Sequence, residues 1–413
     1  MTALDLSDPR AAWMAGEPDR FGKAHRDPVL QWMVETAASD LTIRPGRPLM
    51  LEINGRLREG CRHALSPQEV MDLAVAMTGN EQLPVLLSGP SDVDDAVTVN
   101  LSRGHRHRFR FNATPVWVAG KRGISVTLRS IPATPPTLAS MALPDDLVKA
   151  MFPQRGVGLV VGETGSGKST LLAAMIRHII EDPEANRKIL TFESPIEYVY
   201  DDIVQPTAVV DQTAIPQGLP SFAAGLRGAL RRHPGVILIG EARDRETIAA
   251  MMLAAASGHM TYSTVHANGF VETIQRLVNE FAVEEQAARA IGLLSSLRFI
   301  VCQTLVQARD PAQRRVALRE YVVFDDEVKR DMMGEEGHVQ GLTARARSVL
   351  RRHGRSFLQD AEAAYAAGRI GADTVDMFRR VERAGTHRSS APSAVAQPQP
   401  DFDTLPILPE TVP

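Results

Sequence analysis

The sequence predicts an α/β protein whose larger domain is a mostly parallel sheet with helices on both faces. Three observations lead to this fold class. Apolar strand segments and helical segments alternate between Gly158 and about Phe324, which is typical of such a sheet. Short strands of alternating polarity occupy Asp40 to about Arg129, so a smaller α+β domain is expected to precede it. The glycine-rich segment VGLVVGETGSGKS, residues 157–169, joins an apolar strand to a helix, which is the arrangement of a nucleotide-binding loop.

Local signals place the elements of the smaller domain. A helix is predicted from Pro28 to Ala38, because apolar residues repeat at helical spacing behind Asp27, which is expected to cap it. The strings LTIR, LMLEING and HRFRFNATPVWV are predicted to be strands. A second helix is expected to begin at Ser66-Pro67.

Composition divides the chain into six segments. The string IPATPPT contains three prolines and predicts a stiff linker. The last residues are rich in proline and small polar residues, which predicts disorder. The predicted segments are a mobile arm (1–26), an N-terminal domain (27–130), the linker (131–140), a nucleotide-binding domain (141–330), a C-terminal helical segment (331–385) and a disordered tail (386–413).

Charge and cysteine content limit the function classes. The formal net charge is −3, whereas a protein that coats nucleic acid usually has a basic excess, so direct nucleic-acid binding is disfavoured. Cys61 and Cys302 are far apart in the sequence, which favours buried thiols in a reducing compartment over a disulfide or a zinc site. With no apolar run of membrane-spanning length and no signal-peptide pattern, the protein is expected to stay in the cytoplasm.

The glycine-rich loop is the strongest functional signal. Backbone N–H groups of such a loop wrap phosphates, and the following helix adds a positive dipole. Lys168 is expected to neutralise the outer phosphates of the nucleotide, and Ser169 to bind Mg²⁺. The residues predicted to bind the nucleotide here are Gly162, Glu163, Thr164, Gly165, Ser166, Gly167, Lys168, Ser169 and Thr170.

Carboxylates follow two further apolar strands. The string ILTFESPIE ends a strand at Glu193 and continues to Glu197, and GVILIGEARD brings Glu241 to the end of another. Carboxylates at the carboxyl edge of a parallel sheet face the ligand crevice. There they can hold hydrated Mg²⁺ or orient the attacking water. Asp244 and Glu246 are instead expected to cap the next helix, because acidic residues favour a first helical turn.

Two histidines flank a strand-like TYSTV segment. His259 and His266 are seven residues apart and have no cysteine near them, which disfavours zinc. A histidine near the terminal phosphate can donate a hydrogen bond that is lost after hydrolysis. His266, among small polar neighbours, is the predicted phosphate sensor, and His259 is a weaker nucleotide-binding candidate. The alternative is that both are structural.

These four motifs, in this order, resemble the secretion and pilus-motor ATPases of bacterial type II, type IV pilus and type IV secretion machines. There they correspond to the Walker A loop, the Asp box, the Walker B strand and the His box. AASDLTI, LEINGRLR, RFRFNATP and LRSIP resemble the PAS-like N-terminal domain of the retraction motor, so the resemblance spans about Pro28 to Glu327. Ser194, where retraction ATPases usually have Asp, makes the chain more similar to the type IVB branch of Dot/Icm secretion and IncI-type conjugation.

The resemblance implies a RecA-like P-loop core, six subunits in a ring, and ATP bound between the two domains and completed by a neighbour. Arginines of the N-terminal domain reach the phosphates in such rings. By position these are Arg110 and Arg129, with Arg108 in reserve. The structural alternative is that they only pair across a sheet. The implied partners are an inner-membrane secretion platform or coupling proteins, with peripheral membrane association through them.

The predicted chemistry is phosphoryl transfer from ATP to water. Lys168 and Mg²⁺ would neutralise charge, Glu193 or Glu241 would orient the water, and the arginines would stabilise the transition state. The motion of the domains about the linker would be the output. A pilus-retraction ATPase, a DNA-translocating motor and a nucleotide-gated docking protein remain alternatives. The net negative charge of the chain disfavours the DNA motor, which would need basic residues facing the DNA.

Overall fold

The N-terminal domain is an antiparallel sheet with helices packed against it. A computed structural model describes residues 12–53, 56–102, 105–131, 134–310, 315–334 and 340–387. Its elements are α1 (Arg26–Glu35), β1 (Asp40–Ile43), β2 (Met50–Ile53), β3 (Arg56–Glu59), α2 (Pro67–Thr78), α3 (Leu83–Leu86), β4 (Val93–Ser102), β5 (His105–Val118) and β6 (Lys121–Ile131). Within the described residues the strand order of this sheet is β3-β2-β1-β6-β5-β4, and neighbouring strands pair antiparallel.

Helix α2 begins where the sequence predicts. Ser66 is its N-cap and accepts from the backbone N–H of Glu69, while the Glu69 carboxylate accepts from the N–H of Ser66 at 2.8 Å. This reciprocal pair satisfies two backbone donors at the helix start. Helix α1 begins two residues before the predicted Pro28, so Asp27 lies in its first turn rather than at its cap.

The prediction of a mobile arm over residues 1–26 is wrong for residues 12–26. Ala12, Met14 and Phe21 are buried in the N-terminal core. Trp32 Nε1 donates to the carbonyl of Ala12 at 3.0 Å, and the N–H of Phe21 donates to Glu69 Oε1 at 2.9 Å. Burial of an aromatic ring and these long-range bonds offset the entropy lost on ordering the segment. Residues 1–11 lie outside the described residues.

The second domain is the predicted α/β unit with a mostly parallel sheet. Its strand order is β13-β12-β7-β11-β10-β8-β9. Only the β12–β13 pair is antiparallel among the pairs that the described residues form. The strands are β7 (Gly156–Val161), β8 (Lys188–Glu193), β9 (Val209–Ala214), β10 (Val236–Ile239), β11 (Met260–Val265), β12 (Leu297–Gln307) and β13 (Arg315–Val323).

Helices cover both faces of this sheet. One face packs on α4 and α5 through Leu147, Leu171 and Met175. The other packs on α7 and α8 through residues such as Met251 and Ile274. The strands between these two cores are buried along their lengths, which explains their unbroken apolar sequence. The helices are α4 (Asp145–Ala150), α5 (Lys168–Glu181), α6 (Phe222–Ala229), α7 (Arg245–Ala256), α8 (Phe270–Asn279) and α9 (Val283–Ser296).

Within the described residues four helices follow the sheet, in the region where the sequence predicts a helical segment: α10 (Asp326–Met333), α11 (Leu342–His353), α12 (Phe357–Ala366) and α13 (Ala372–His387). Helices α10 and α11 pack into the sheet core through Val328 and Val349. Helices α12 and α13 pack on β13. Helix α10 runs through the predicted boundary at residue 330, so the described helices extend the nucleotide-binding domain. The predicted tail begins at residue 386, and residues 386 and 387 form the end of α13. The rest of the tail, 388–413, lies outside the described residues.

Both cysteines are buried, as expected, and burial raises the pKa of the Cys61 thiol to about 11. Residues 138–141 of the linker region form a short 3₁₀ turn. Among the residues described, no helix combines the length and apolarity needed to cross a bilayer.

Replacing Phe21 with Ala should destabilise the N-terminal domain by about 3–5 kcal/mol, as for other fully buried aromatic residues. The three tryptophans, Trp13, Trp32 and Trp117, all lie in this domain, so tryptophan fluorescence during urea unfolding reports on it alone. Leu57→Ala is the matched control, because the Leu57 side chain is 62% exposed and should change stability by less than about 0.5 kcal/mol. Equal effects of the two variants would show that residues 12–26 are not packed.

Candidate active site

The predicted site residues meet at the carboxyl edge of the parallel sheet. Strands β7, β11, β10 and β8 are neighbours there, so the segments that follow them converge. They surround a cavity of about 320 Å³. The predicted residues that line it are Arg110, Thr164, Gly165, Lys168, Ser169, Glu193, Glu197, Glu241 and His266.

The loop between β7 and α5 requires glycine at its turns. Gly162, Gly165 and Gly167 have φ of 151°, 79° and 85°, values that residues with a Cβ rarely adopt. Lys168 is only 7% exposed, and its Nζ donates to the carbonyls of Gly162 and Glu163 at 2.8 Å each. Burial lowers its pKa, while Glu241, Glu197 and Glu163 act in the opposite direction. The ammonium is thus held inside the loop, on the side of the carboxylates.

Glu193 ends β8 and is held by two donors. Its Oε1 accepts from Thr191 Oγ1 at 2.7 Å and from Gln212 Nε2 at 3.0 Å. Burial raises the pKa of the Glu193 carboxyl, and these hydrogen bonds oppose the rise. Gln212 also donates to the carbonyl of Tyr198 at 2.8 Å. This arrangement fixes Glu193 in the wall of the cavity.

Glu241 and His266 face each other across neighbouring strand ends. His266 Nε2 lies 3.9 Å from Glu241 Oε1. Burial and the nearby Lys168 lower the pKa of His266, although Glu241 opposes this. The imidazole is therefore neutral at neutral pH, which leaves one ring nitrogen to donate and one to accept. Such a group can form a hydrogen bond to a phosphate without adding charge.

Asp244 caps helix α7, as expected. Its carboxylate accepts from the N–H of Thr247 at 2.8 Å and from the Thr247 hydroxyl at 3.0 Å. Glu246 lies in the first turn, where a negative charge stabilises the helix dipole.

The prediction that His259 binds the nucleotide is wrong for the site of its own chain. His259 precedes β11 and His266 follows it, so the two residues lie at opposite edges of the sheet. A strand of that length separates them by about 20 Å. His259 Nδ1 lies 3.2 Å from the carbonyl of Ala254, and its own carbonyl accepts from Gly156. It is a structural residue, the alternative that the sequence left open.

Other loop residues do not line this cavity. Thr170 Oγ1 is hydrogen-bonded to the Tyr198 hydroxyl at 3.1 Å. Gly162 and Glu163 face a different cavity of about 810 Å³, on the side of α12 and α13. Ser166 and Gly167 lie at the back of the loop, against Gln303.

The predicted arginines occupy different places. Arg110 lines the cavity of its own chain and is held by Asp94 through bonds of 3.1 and 2.6 Å, which raise its pKa. Arg110 therefore lies at the candidate site of its own chain. Arg129 pairs with Asp40 at 2.8 Å, is 66% exposed, and does not line this cavity.

Sequence reasoning underestimated Arg108. Its side chain is buried, and its guanidinium donates to the carbonyls of Glu197 at 2.7 Å and Ile196 at 2.9 Å. Burial lowers its pKa, and Glu193 opposes this. Arg108 thus ties the N-terminal sheet to the loop after β8. The alternation in RFRF places Arg108 and Arg110 on one face, but only the tertiary structure shows which loop they meet.

A phosphate-binding loop, carboxylates that follow two neighbouring strands and a histidine meet at one edge of the sheet, and this combination defines a P-loop nucleotide hydrolase. A family model described as type II/IV secretion system protein matches residues 27–356. The chain therefore belongs to that family. Its RecA-like core and its enzyme class, ATP hydrolase, are as the family resemblance implies.

Solved structures and relatives agree with this membership. The structure of the Legionella pneumophila ATPase DotB matches with a TM-score of 0.81 and 41% identity, covering 89% of this chain and 98% of that one. The pilus retraction motor PilT with bound ADP matches with a TM-score of 0.71 and 29% identity, covering 84% and 95%. The type IV pilus ATPase PilU of Pseudomonas aeruginosa is 30% identical over 76% of this chain and 78% of its own length.

Changing Glu241 to Gln should lower kcat for ATP at least about 100-fold, the contribution of a positioned proton acceptor, while ATP binding persists. Glu193→Gln is the matched variant. Its amide oxygen can still accept from Thr191 and Gln212, so kcat should fall less than about tenfold by the same scale. Steady-state hydrolysis and retention of labelled ATP measure both. A dead Glu193→Gln with an active Glu241→Gln would reverse these roles.

Proposed function

We propose that this chain is the ATPase of a type IVB-like secretion or conjugal transfer machine and works as a homo-hexamer. The observation that carries this proposal is the greater likeness to DotB, at 41% identity and a TM-score of 0.81, than to PilT, at 29% and 0.71. Ser194 in the loop after β8, where retraction ATPases usually have Asp, supports the same branch.

ATP and Mg²⁺ fit the cavity at the sheet edge. The Ser169 hydroxyl and the Glu241 carboxylate both line it, and Mg²⁺ prefers such oxygen ligands together with substrate phosphates and water. No group of three or more metal-binding side chains occurs in the described part of the chain, and magnesium bound with a nucleotide does not need one. When bound, Mg²⁺ would neutralise charge on the leaving phosphate.

The chain's own residues suit hydrolysis of the terminal phosphate. Lys168 would exchange its two carbonyl partners in the loop for phosphate oxygens. Glu241 would orient the attacking water, since the Glu193 carboxylate is already engaged by two donors. The neutral His266 would donate to the terminal phosphate and lose that bond after hydrolysis. Arg110 would stabilise the transition state from the N-terminal side of the same cavity.

Arg129 is proposed to act on a neighbouring subunit. Its guanidinium is exposed and lies outside the cavity of its own chain, whereas in a ring the N-terminal domain can face the adjacent nucleotide-binding domain. An arginine that a neighbouring subunit supplies to stabilise the transition state raises the rate by about 10³-fold or more.

Mixing two inactive variants tests this assembly. Lys168→Ala and Arg129→Ala should each abolish most turnover, because one lacks the loop cation and the other the arginine supplied to its neighbour. Mixed rings should recover part of the hydrolysis, since some interfaces then combine an intact loop with an intact arginine. Arg56→Ala, an exposed arginine of the same sheet, is the control and should leave turnover unchanged. Verified subunit exchange without recovered activity would exclude action in trans.

A pilus-retraction ATPase is the second candidate, favoured by the match to PilU and PilT. A DNA-translocating motor has less support, because the net charge is −3. We propose a cytoplasmic protein that reaches the inner membrane through platform or coupling proteins, and this position is shared by the first two candidates.

Deletion of the gene in its own organism separates the candidates. Transfer of DNA or effector protein should be lost and twitching motility kept, and the wild-type gene should restore transfer while Lys168→Ala should not. Loss of twitching with normal transfer would favour pilus retraction. Full transfer with Lys168→Ala would favour a docking role in which hydrolysis is incidental.

A further inference from the structure

The back of the phosphate-binding loop rests on a buried glutamine. Gln303, in β12, is 2% exposed, and its Nε2 donates to the carbonyl of Ser166 at 2.7 Å. A Cβ at Gly162 would lie 2.3 Å from the Gln303 carbonyl oxygen, and one at Gly167 would lie 2.8 Å from its Nε2. Both ends of the loop therefore press against this one residue. None of this contact faces the cavity at the sheet edge.

Arg319 fixes the orientation of that glutamine. It is the cross-strand partner of Gln303 in β13, and its Nε donates to Gln303 Oε1 at 2.9 Å. A guanidinium can only donate. The oxygen of the amide must therefore face Arg319, which leaves its NH₂ group to face Ser166.

Arg319 also reaches the end of the linker and helix α12. Its Nη2 donates to the carbonyl of Met141 at 2.9 Å, and its backbone N–H donates to Asp360 Oδ2 at 2.9 Å. Asp360 in turn pairs with Arg355 at 2.9 Å. Arg319 is 4% exposed, so its charge depends on these partners. Although burial lowers its pKa to about 10, the side chain stays charged at neutral pH.

We propose that Gln303 and Arg319 form a buried relay that sets the shape of the phosphate-binding loop and connects it to the 3₁₀ turn 138–141, where the linker ends. A shift of residues 138–141 would pull on Arg319, turn the Gln303 amide and move the Ser166 carbonyl. Nucleotide binding would act in the reverse direction, because coupling between two sites is reciprocal. Both are positioning residues, since neither lines the nucleotide cavity. The inference rests on the proposed binding of ATP by this loop.

Gln303→Glu tests the loop end of the relay. A carboxylate keeps the bond to Arg319 but has no hydrogen for the Ser166 carbonyl, so the KM for ATP should rise about tenfold, the equivalent of one hydrogen bond. Tyr321→Phe is the control, because it removes a buried hydrogen bond of strand β13, from the Tyr321 hydroxyl to Asp146 at 2.8 Å, and leaves the partners of Gln303 and Arg319 in place. Its KM should stay within about twofold, less than one ordinary hydrogen bond is worth.

Arg319→Lys tests the linker end by hydrogen exchange. Arg319 bonds Gln303 through Nε and Met141 through Nη2, whereas a lysine presents all its donor hydrogens from one nitrogen, so we expect it to keep at most one of these two bonds. In the wild type, ADP should slow exchange in residues 138–142 and in residues 162–169. In Arg319→Lys the second segment should still respond and the first should not. This variant also serves if Gln303→Glu does not fold.

The outcomes are distinguishable. A wild-type protein that neither binds nor hydrolyses ATP would overturn the proposed function itself. An active wild type whose KM is unchanged by Gln303→Glu, or raised equally by Tyr321→Phe, would overturn the relay. So would a response of residues 138–142 that is the same in Arg319→Lys as in the wild type, or absent from both.

Discussion

The parallel register of four buried strands is the constraint on which the rest of this molecule depends. β7, β11, β10 and β8 are hydrogen-bonded side by side, and their side chains are enclosed on both faces. The segments that leave them can only turn over the same edge. Groups that are far apart in the chain, from Lys168 to His266, meet there because the sheet brings the ends of their strands together. The site is therefore as stable as the sheet that carries it.

The N-terminal domain completes that edge through cations. Arg110 reaches the cavity and Arg108 reaches the loop after β8, while Arg106 pairs with Asp201 farther along the same loop. The carboxylates Glu193, Glu197 and Glu241 lie close to one another and to Lys168. A movement of the N-terminal domain would therefore change the local charge balance as well as the shape of the site.

Much of this could be predicted from the sequence, because buried parallel strands have unbroken apolar sequences and the loop has a fixed spacing. Strand β10 and the cap at Ser66 are examples. The packed segment around Phe21 could not, since its apolar residues have no period and are recognisable only by the core they enter. The sequence predicts His259 at the site because it belongs to the same motif as His266. His259 precedes strand β11 and His266 follows it, so the two residues lie at opposite edges of the sheet. The contacts of Arg108 and Gln303 depend on elements about 90 and 137 residues away in the chain and have no local signal.

In the loop after β8, Arg108 donates to the backbone carbonyl oxygens of Ile196 and Glu197 and not to the side chains of these two residues. Every amino acid supplies such an oxygen. Mutation can therefore alter the acidic and polar side chains of this loop while the hydrogen bonds between the two domains persist, provided that the backbone conformation of the loop is unchanged. In this chain the chemistry of the loop therefore rests on side chains, whereas its mechanical connection to the N-terminal domain rests on the backbone.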